Sequence, residues 1–310
     1  MNLYIAGIYM SNISVGSRLY ARLLEHEQQT LRDIPHHLES YHYIRKGRFT
    51  EDIRKTGQQV FLDSGAYSSY TKGVEVSLDD YCTYIQENDD ILLKEDGVVL
   101  ASVLDAIGDP LKTWRNQRTM EQKGVTPLPC FHYGDDERYL VEYIKKYDYI
   151  TLGGMVATHN KLVRIWLDRI WEKYLSDGSG NPRLKVHGFG LMAEDFLAAY
   201  PWHSVDSSTW VQKAFSGMCL GHTLNGFLLP DLHISKRSPR IKVAGGHYDT
   251  MSDSYRELYR KDIEQRGYSP ERIGTFYGAR WAYNIQVMND LNKKYAELKV
   301  SFKSKQRGLF

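Results

Sequence analysis

A barrel of eight parallel β-strands, each followed by a helix, is the α/β fold this sequence predicts. Three observations point there. Short apolar runs alternate with amphipathic stretches about eight times along the 310 residues. No Gly-x-Gly-x-x-Gly follows the first run, which disfavours an open dinucleotide-binding sheet. No internal repeat, low-complexity tract or Pro/Gly/Ser linker divides the chain. The expectation is therefore one catalytic barrel domain over residues 1–310, with a basic tail at about 300–310 loosely held.

The runs are LYIAGI (3–8), QVFLDSG (59–65), GVVLASVLD (97–105), TPLPCFHY (126–133), YITLGGM (149–155), RLKVHGFG (183–190), HSVDSST (203–209) and IKVAGG (241–246). Several are too continuously apolar for a strand with one wet face, so they read as parallel strands buried on both sides. SRLYARLLEHEQQTLRDI, DERYLVEYIKKY, KLVRIWLDRIWEKYL and AEDFLAAY read as helices, and two more are expected near 252–266 and 281–298. The long segment 9–58 between the first two runs holds the aromatic and basic stretch HHLESYHYIRKGR, a candidate surface for a polymer.

A net charge of +2 neither demands nor excludes a nucleic acid, because a basic groove can hide in a near-neutral total. No run of about 18 apolar residues is present, so no membrane partner is expected. The N-terminus lacks the features of a signal peptide, and three cysteines, Cys82, Cys130 and Cys219, are odd in number and far apart. A reducing, cytoplasmic setting is the expectation.

Polar residues gather where the strands should end. Asp63, Asp105, His132, Gly153, Gly154, Gly190 and Asp206 all fall at or near the C-terminal ends of apolar runs. In a barrel those ends converge on the face that carries chemistry. Asp63 and Asp105 could instead cap the helices that follow them. Asp206, in SVDSSTW, has no such excuse. Two carboxylates across a sugar carbon suit glycosyl transfer with retention: one attacks C1′, the other handles protons. Gly153-Gly154 would let backbone amides approach a planar ring, or would form a barrel corner.

Taken in order, these segments resemble the tRNA-guanine transglycosylase (queuine tRNA-ribosyltransferase) family. FLDSGAYSS is similar to its T-D-S-G-G-F/Y-Q segment, SVLDAIGDP to F-D-E-x-x-P, YITLGGM to I-G-G-L, VHGFGLMAEDFLAAY to M-G-V-G-x-P-x-D-L, and HSVDSSTW falls where the family has F-D-C-x-x-P-T-R. The likeness runs over about residues 55–215. It implies the same barrel, with Asp206 as nucleophile, Asp63 as second catalytic aspartate, Asp105 on the base edge, Tyr67 stacked on the base, and Gly153 and Gly154 against it. His132 falls near a glutamine that touches the base in the family.

The departures are informative. Ala66 replaces the second glycine, SSTWVQKAFSG follows Asp206 without Pro-Thr-Arg, and the C-x-C-x-x-C zinc element beside the tRNA-binding surface is absent. No metal and no cofactor are therefore expected. In these respects the chain resembles the small phage-type DNA-guanine transglycosylases, which place 7-deazaguanine bases into DNA. That likeness implies a phage-encoded pentosyltransferase of the host cytoplasm, with DNA and a free 7-deazaguanine base as partners. Lys213 and the SKRSPRIK cluster, with Lys236, Arg237 and Arg240, are the candidates for phosphate contacts. The alternatives are the tRNA-directed exchange enzyme, a barrel hydrolase of free nucleosides or glycosides, and a barrel that binds nucleic acid without catalysis. A hydrolase would admit water and need no polymer groove. A mere binder would not need both Asp63 and Asp206.

Overall fold

A computed structural model describes residues 1–156, 158–224 and 227–303. The chain divides into two compact units. The first comprises Met1–Met10, His36–Ser207 and Lys294–Phe310; the second comprises Ser11–Pro35 and Ser208–Lys293.

The first unit is built on a curled parallel sheet of seven strands: β1 (Asn2–Ala6), β2 (His37–Ser40), β3 (Val60–Asp63), β4 (Cys130–His132), β5 (Tyr149–Gly153), β6 (Lys185–Gly188) and β7 (Ser204–Ser207), in the spatial order β3-β2-β1-β7-β6-β5-β4. Helices flank it: α1 (Tyr41–Ile44), α2 (Gly47–Thr56), α3 (Ala66–Lys72), α4 (Leu78–Glu87), α5 (Pro110–Gln122), α6 (Glu137–Lys146), α7 (Asn160–Ile170) and α8 (Glu194–Leu197). Tyr4, Ala6, Leu38, Phe61, Leu100, Leu128 and Tyr149 form a buried cluster on the inner face, with Leu93 and Phe189 packed against it. These side chains explain why several of the strands read as continuously apolar: parallel strands covered on both faces have no wet side to mark with polar residues.

The expected closed barrel of eight strands is corrected in three places. The 241–246 run is not a strand; Pro239–Lys242 forms a 3-10 turn whose start is capped by Ser238, which accepts a hydrogen bond from the Arg240 amide. The 97–105 run is not a full strand either. Lys94–Glu95 and Val98–Val99 pair as a tiny hairpin around Asp96 and Gly97, both at positive φ, and the chain beyond makes only isolated bridges, Leu62 to Ala101 and Ser102 to Leu128. Those bridges span the gap between β3 and β4 without a continuous ladder. Finally, β2 lies inside the 9–58 segment, which was expected to connect the first two strands without a strand of its own.

The second unit holds helices Glu25–Arg32, Thr209–Phe215, Asp253–Gln265 and Pro270–Thr275, most of the long helix Tyr277–Glu297, and two short antiparallel strand pairs. Its buried Asp262 accepts from Tyr283 Oη at 2.7 Å and pairs with His222 Nε2 at 3.1 Å, so its charge is compensated. In the expected tail, Phe302 is buried and stacks on Tyr200 with ring centres 5.9 Å apart, while residues 304–310 lie outside the described residues. Among the described residues no helix is long and apolar enough to cross a membrane.

Candidate active site

Asp63 ends β3, Asp206 lies in β7, and Asp105 follows the bridging 100–103 segment. Parallel strands deliver all three to the same edge of the sheet. Helix capping does not account for Asp63 and Asp105. Helix α3 begins after Gly65, which has φ of +78° and makes no side-chain cap. Helix α5 is capped by Asp109, whose carboxylate accepts from the Lys112 amide, not by Asp105.

Asp63 Oδ2 accepts from the Gly65 amide at 3.0 Å. Gly65 cannot be replaced easily, since a Cβ there would lie 2.5 Å from His42 Cβ. Loss of hydration, then the charges of Asp105 and Asp206, push the Asp63 carboxyl up to about 7.

Asp206 is buried and better supported. Its Oδ1 accepts from the Gly190 amide at 2.9 Å and pairs with His187 Nε2 at 3.3 Å. His187 is fully buried in β6, and its Nδ1 meets Ser204 Oγ at 2.7 Å, which in turn meets Tyr149 Oη at 2.7 Å. This chain of polar contacts fixes the imidazole and through it the carboxylate. His187 was missed as a site residue because VHGFG reads as a strand running into a glycine turn; its place one strand over from Asp206, opposite Ser204, is the signal that could have found it.

Asp105 is clamped from both sides. Its Oδ1 accepts from Ser64 Oγ at 2.9 Å and its Oδ2 meets His132 Nε2 at 2.8 Å. The His132 amide donates to Asp135 at 3.1 Å, and the ring Nδ1 faces the same carboxylate at 3.6 Å. Burial opposes a charge on His132, but the hydrogen bonds to Asp105 and Asp135 outweigh it, so the imidazole stays protonated well above its ordinary range. Burial raises the Cys130 thiol and keeps it neutral, so the two carboxylates are the partners that hold the imidazolium.

Gly153 and Gly154 serve this histidine. A Cβ on Gly153 would lie 2.8 Å from His132 Cδ2, and one on Gly154, at φ +76°, would lie 3.1 Å from the Tyr133 nitrogen. The glycines let strand β5 sit directly against the imidazole and the Tyr133 backbone. Tyr67, on α3, is 56% exposed, free to present its ring at the surface.

Asp105, Cys130 and His132 each bring one potential ligand atom within 4.8 Å of the others. These are donor types a zinc ion accepts. In this arrangement, however, they satisfy one another, with the His132 Nε2 proton shared toward Asp105 and the Cys130 sulfur at 3.5 Å. The family's own C-x-C-x-x-C zinc element has no counterpart, because Cys82, Cys130 and Cys219 are buried, free and remote in sequence.

The basic candidates belong to the second unit. Lys213 pairs with Asp231 at 2.6 Å and Lys236 with Asp249 at 2.9 Å, so half of that cluster is already neutralised; with Arg237 and Arg240 they lie in the second unit. A cleft of about 570 Å³ is lined by Arg183, Lys185, Trp202 and His203 at the N-terminal ends of β6 and β7, away from the carboxylates, and contains none of the candidates. No protein-family model matches the chain, and no curated protein matches it.

Proposed function

We propose that the protein is a base-exchange pentosyltransferase that removes guanine from DNA and installs a 7-deazaguanine base through a covalent aspartyl–sugar intermediate. One observation carries the reading: Asp63, with an elevated proton affinity, is coupled to Asp206, which is held by two donors. A proton carrier beside a fixed carboxylate is what retaining glycosyl transfer uses.

The reaction follows from those roles. A guanosine leaves the base stack, since its glycosidic bond is shielded within a duplex. Tyr67 stacks on the base, and Asp105, positioned by Ser64 and His132, accepts hydrogen bonds from its edge. Asp206 attacks C1′ as a carboxylate. The C1′–N9 bond breaks, a C1′–O bond to Asp206 forms, and Asp63 gives its proton to the departing base. The incoming 7-deazaguanine loses its N9 proton to Asp63 and attacks C1′, and the Asp206 ester breaks. Protons and charge balance over the cycle, and no step requires a cofactor. The setting is the cytoplasm, and the partners are DNA and a free base.

The test is a trapping experiment. Guanine-containing DNA and labelled 7-deazaguanine are incubated with the wild-type protein and with Asp206→Asn, followed by nucleoside mass spectrometry and denaturing gels. Wild type incorporates label and yields a covalent adduct, and the variant does neither. Full exchange by the variant would end the mechanism.

A further inference from the structure

One surface of the first unit gathers exposed cations and rings. The stretch 41–50, YHYIRKGRFT, holds Arg45, Lys46 and Arg48 and no carboxylate; the stretch 66–74, AYSSYTKGV, holds Lys72 and none. The fold brings the two together. Helix α1 leaves the end of β2 and helix α3 the end of β3, and Ser40 and Asp63 are register partners at those ends. His42 Nδ1 meets Ser69 Oγ at 3.1 Å, and Lys72 Nζ meets Tyr43 Oη at 3.0 Å while sitting 4.5 Å from the centre of its ring. Arg45, Lys46 and Lys72 are exposed, and among the described residues none forms an ion pair with a carboxylate. Their joint field is felt at His42, which burial first and then Lys72, Arg45 and Lys46 hold below its ordinary value. Tyr67 and Tyr70, 56% and 68% exposed, stand three residues apart on α3 and so on one side of the helix.

We propose that this α1–α3 face is the docking surface for an unpaired DNA strand flanking the extruded guanosine. Arg45, Lys46 and Lys72 contact phosphates, and Tyr70 stacks on a neighbouring base. The proposal rests on the base-exchange reading for its choice of polymer. The physical argument is charge complementarity combined with stacking: a phosphate chain needs fixed cations along its track, and unpaired bases need rings. The face begins three residues after Asp63, so a strand held there delivers its nucleotide to the carboxylates. It also differs from the 235–242 cluster, whose Lys236 is spent on Asp249.

The experiment is fluorescence anisotropy with a labelled single-stranded 16-mer containing one guanine, titrated across 50–300 mM KCl. Wild type, Arg45→Gln/Lys46→Gln, Tyr70→Ala and the control Lys236→Gln are compared, each first checked for an unchanged melting temperature. The double variant should lose about tenfold in affinity, with its salt slope reduced by about 1.4, from roughly 0.7 per phosphate contact on a single strand. Tyr70→Ala should lose on the order of tenfold with an unchanged slope, as expected for stacking. Lys236→Gln should match wild type. A double variant with the wild-type affinity and slope, or a wild type that binds duplex DNA or tRNA but no single strand, overturns the proposal. Loss of binding in the double variant without any base exchange in the wild type would keep the surface and remove the catalytic reading.

Discussion

Asp63 ionises against its surroundings, and replacing it with asparagine separates stability from function. In the unfolded chain an aspartate releases its proton near 3.8; in the fold Asp63 holds it to about 7, chiefly through lost hydration and then the charges of Asp105 and Asp206. The folded state therefore keeps a proton that the unfolded state has given up, and stability is lost as pH rises from the lower value through the upper one. Integrating the proton difference gives a cost of about 2 kcal/mol at pH 5 and about 4 kcal/mol at pH 8. Asparagine has nearly the same shape, can still accept from the Gly65 amide, and cannot ionise. Asp63→Asn should therefore gain stability relative to wild type by an amount that widens by about 2–3 kcal/mol between pH 5 and pH 8. Burial also lifts Glu39, fully inside the fold, to about 8, but that contribution is common to both proteins and cancels in the difference. Urea unfolding of both proteins at pH 5, 6, 7 and 8 measures the gap directly. Turnover should be abolished in the same variant at every pH. A gap that stays constant across the range, or narrows as pH rises, would refute the assignment of Asp63 as a group poised to carry a proton.

The remaining predictions are shorter. The rate of label incorporation by wild type should fall as pH rises through about 7, because the departing base then loses its acid; a pH–rate profile that is flat from 6 to 9 contradicts this. Gly153→Ala should force the His132 ring away from a Cβ only 2.8 Å from its edge, costing about 1–3 kcal/mol of stability, read as a lower melting temperature, together with a raised KM for the free base. Chelators should leave exchange intact, and elemental analysis of the purified protein should find no stoichiometric zinc; one tightly bound zinc per chain, lost in Cys130→Ser, would assign the Asp105–Cys130–His132 group to metal instead. In parallel assays, single-stranded or duplex DNA should accept the label and unmodified tRNA should not, since the element that flanks tRNA in the resembling enzymes is missing; exchange in tRNA alone would keep the chemistry and change the polymer.

Most of the sheet is legible in the sequence because six of the seven strands fall within its apolar runs, several of them continuously apolar. The exception, β2, reads HLES. Leu38 turns inward to the buried cluster, but His37 and Glu39 on the other side are also buried, and Glu39 accepts from the Tyr9 amide at 2.9 Å. A strand that buries polar residues on one face cannot be distinguished from a loop by hydropathy. The opposite error arose at 97–105, where hydrophobicity suggested a strand. The signal that should have broken it was local: Asp96-Gly97 is the dipeptide a tight hairpin turn selects, and both residues adopt positive φ there. At 241–246 a short apolar run outweighed Pro239 and the Gly245-Gly246 pair, which favour turns. Periodicity reports burial, whereas backbone punctuation reports direction, and each misreading gave the first too much weight.

The site was legible to a different depth. Aspartates at the ends of apolar runs announce themselves, because a carboxylate retained there needs a partner, and the helix starts at Asp109 and Gly65 show that capping is not it. What the residues alone could not give is how the carboxylates differ. That difference lies in the donors around them. Asp206 takes an amide from Gly190 and an imidazole that is itself anchored through Ser204 to Tyr149, whereas Asp63 takes the Gly65 amide and faces two other negative charges. Burial first, then the two neighbouring anions, raises the Asp63 carboxyl, whereas Asp206 sits among donors, and the proposed mechanism gives the two side chains opposite tasks on that difference. Moving a donor should therefore move a role. His187→Phe keeps the volume of a buried ring but removes the imidazole from Asp206, and it should slow formation of the covalent adduct more than it weakens binding of DNA. Rapid-quench trapping beside an anisotropy titration separates the two. An adduct forming at the wild-type rate in that variant would mean that the Gly190 amide alone sets the nucleophile, and that the imidazole serves only the packing of β6 against β7.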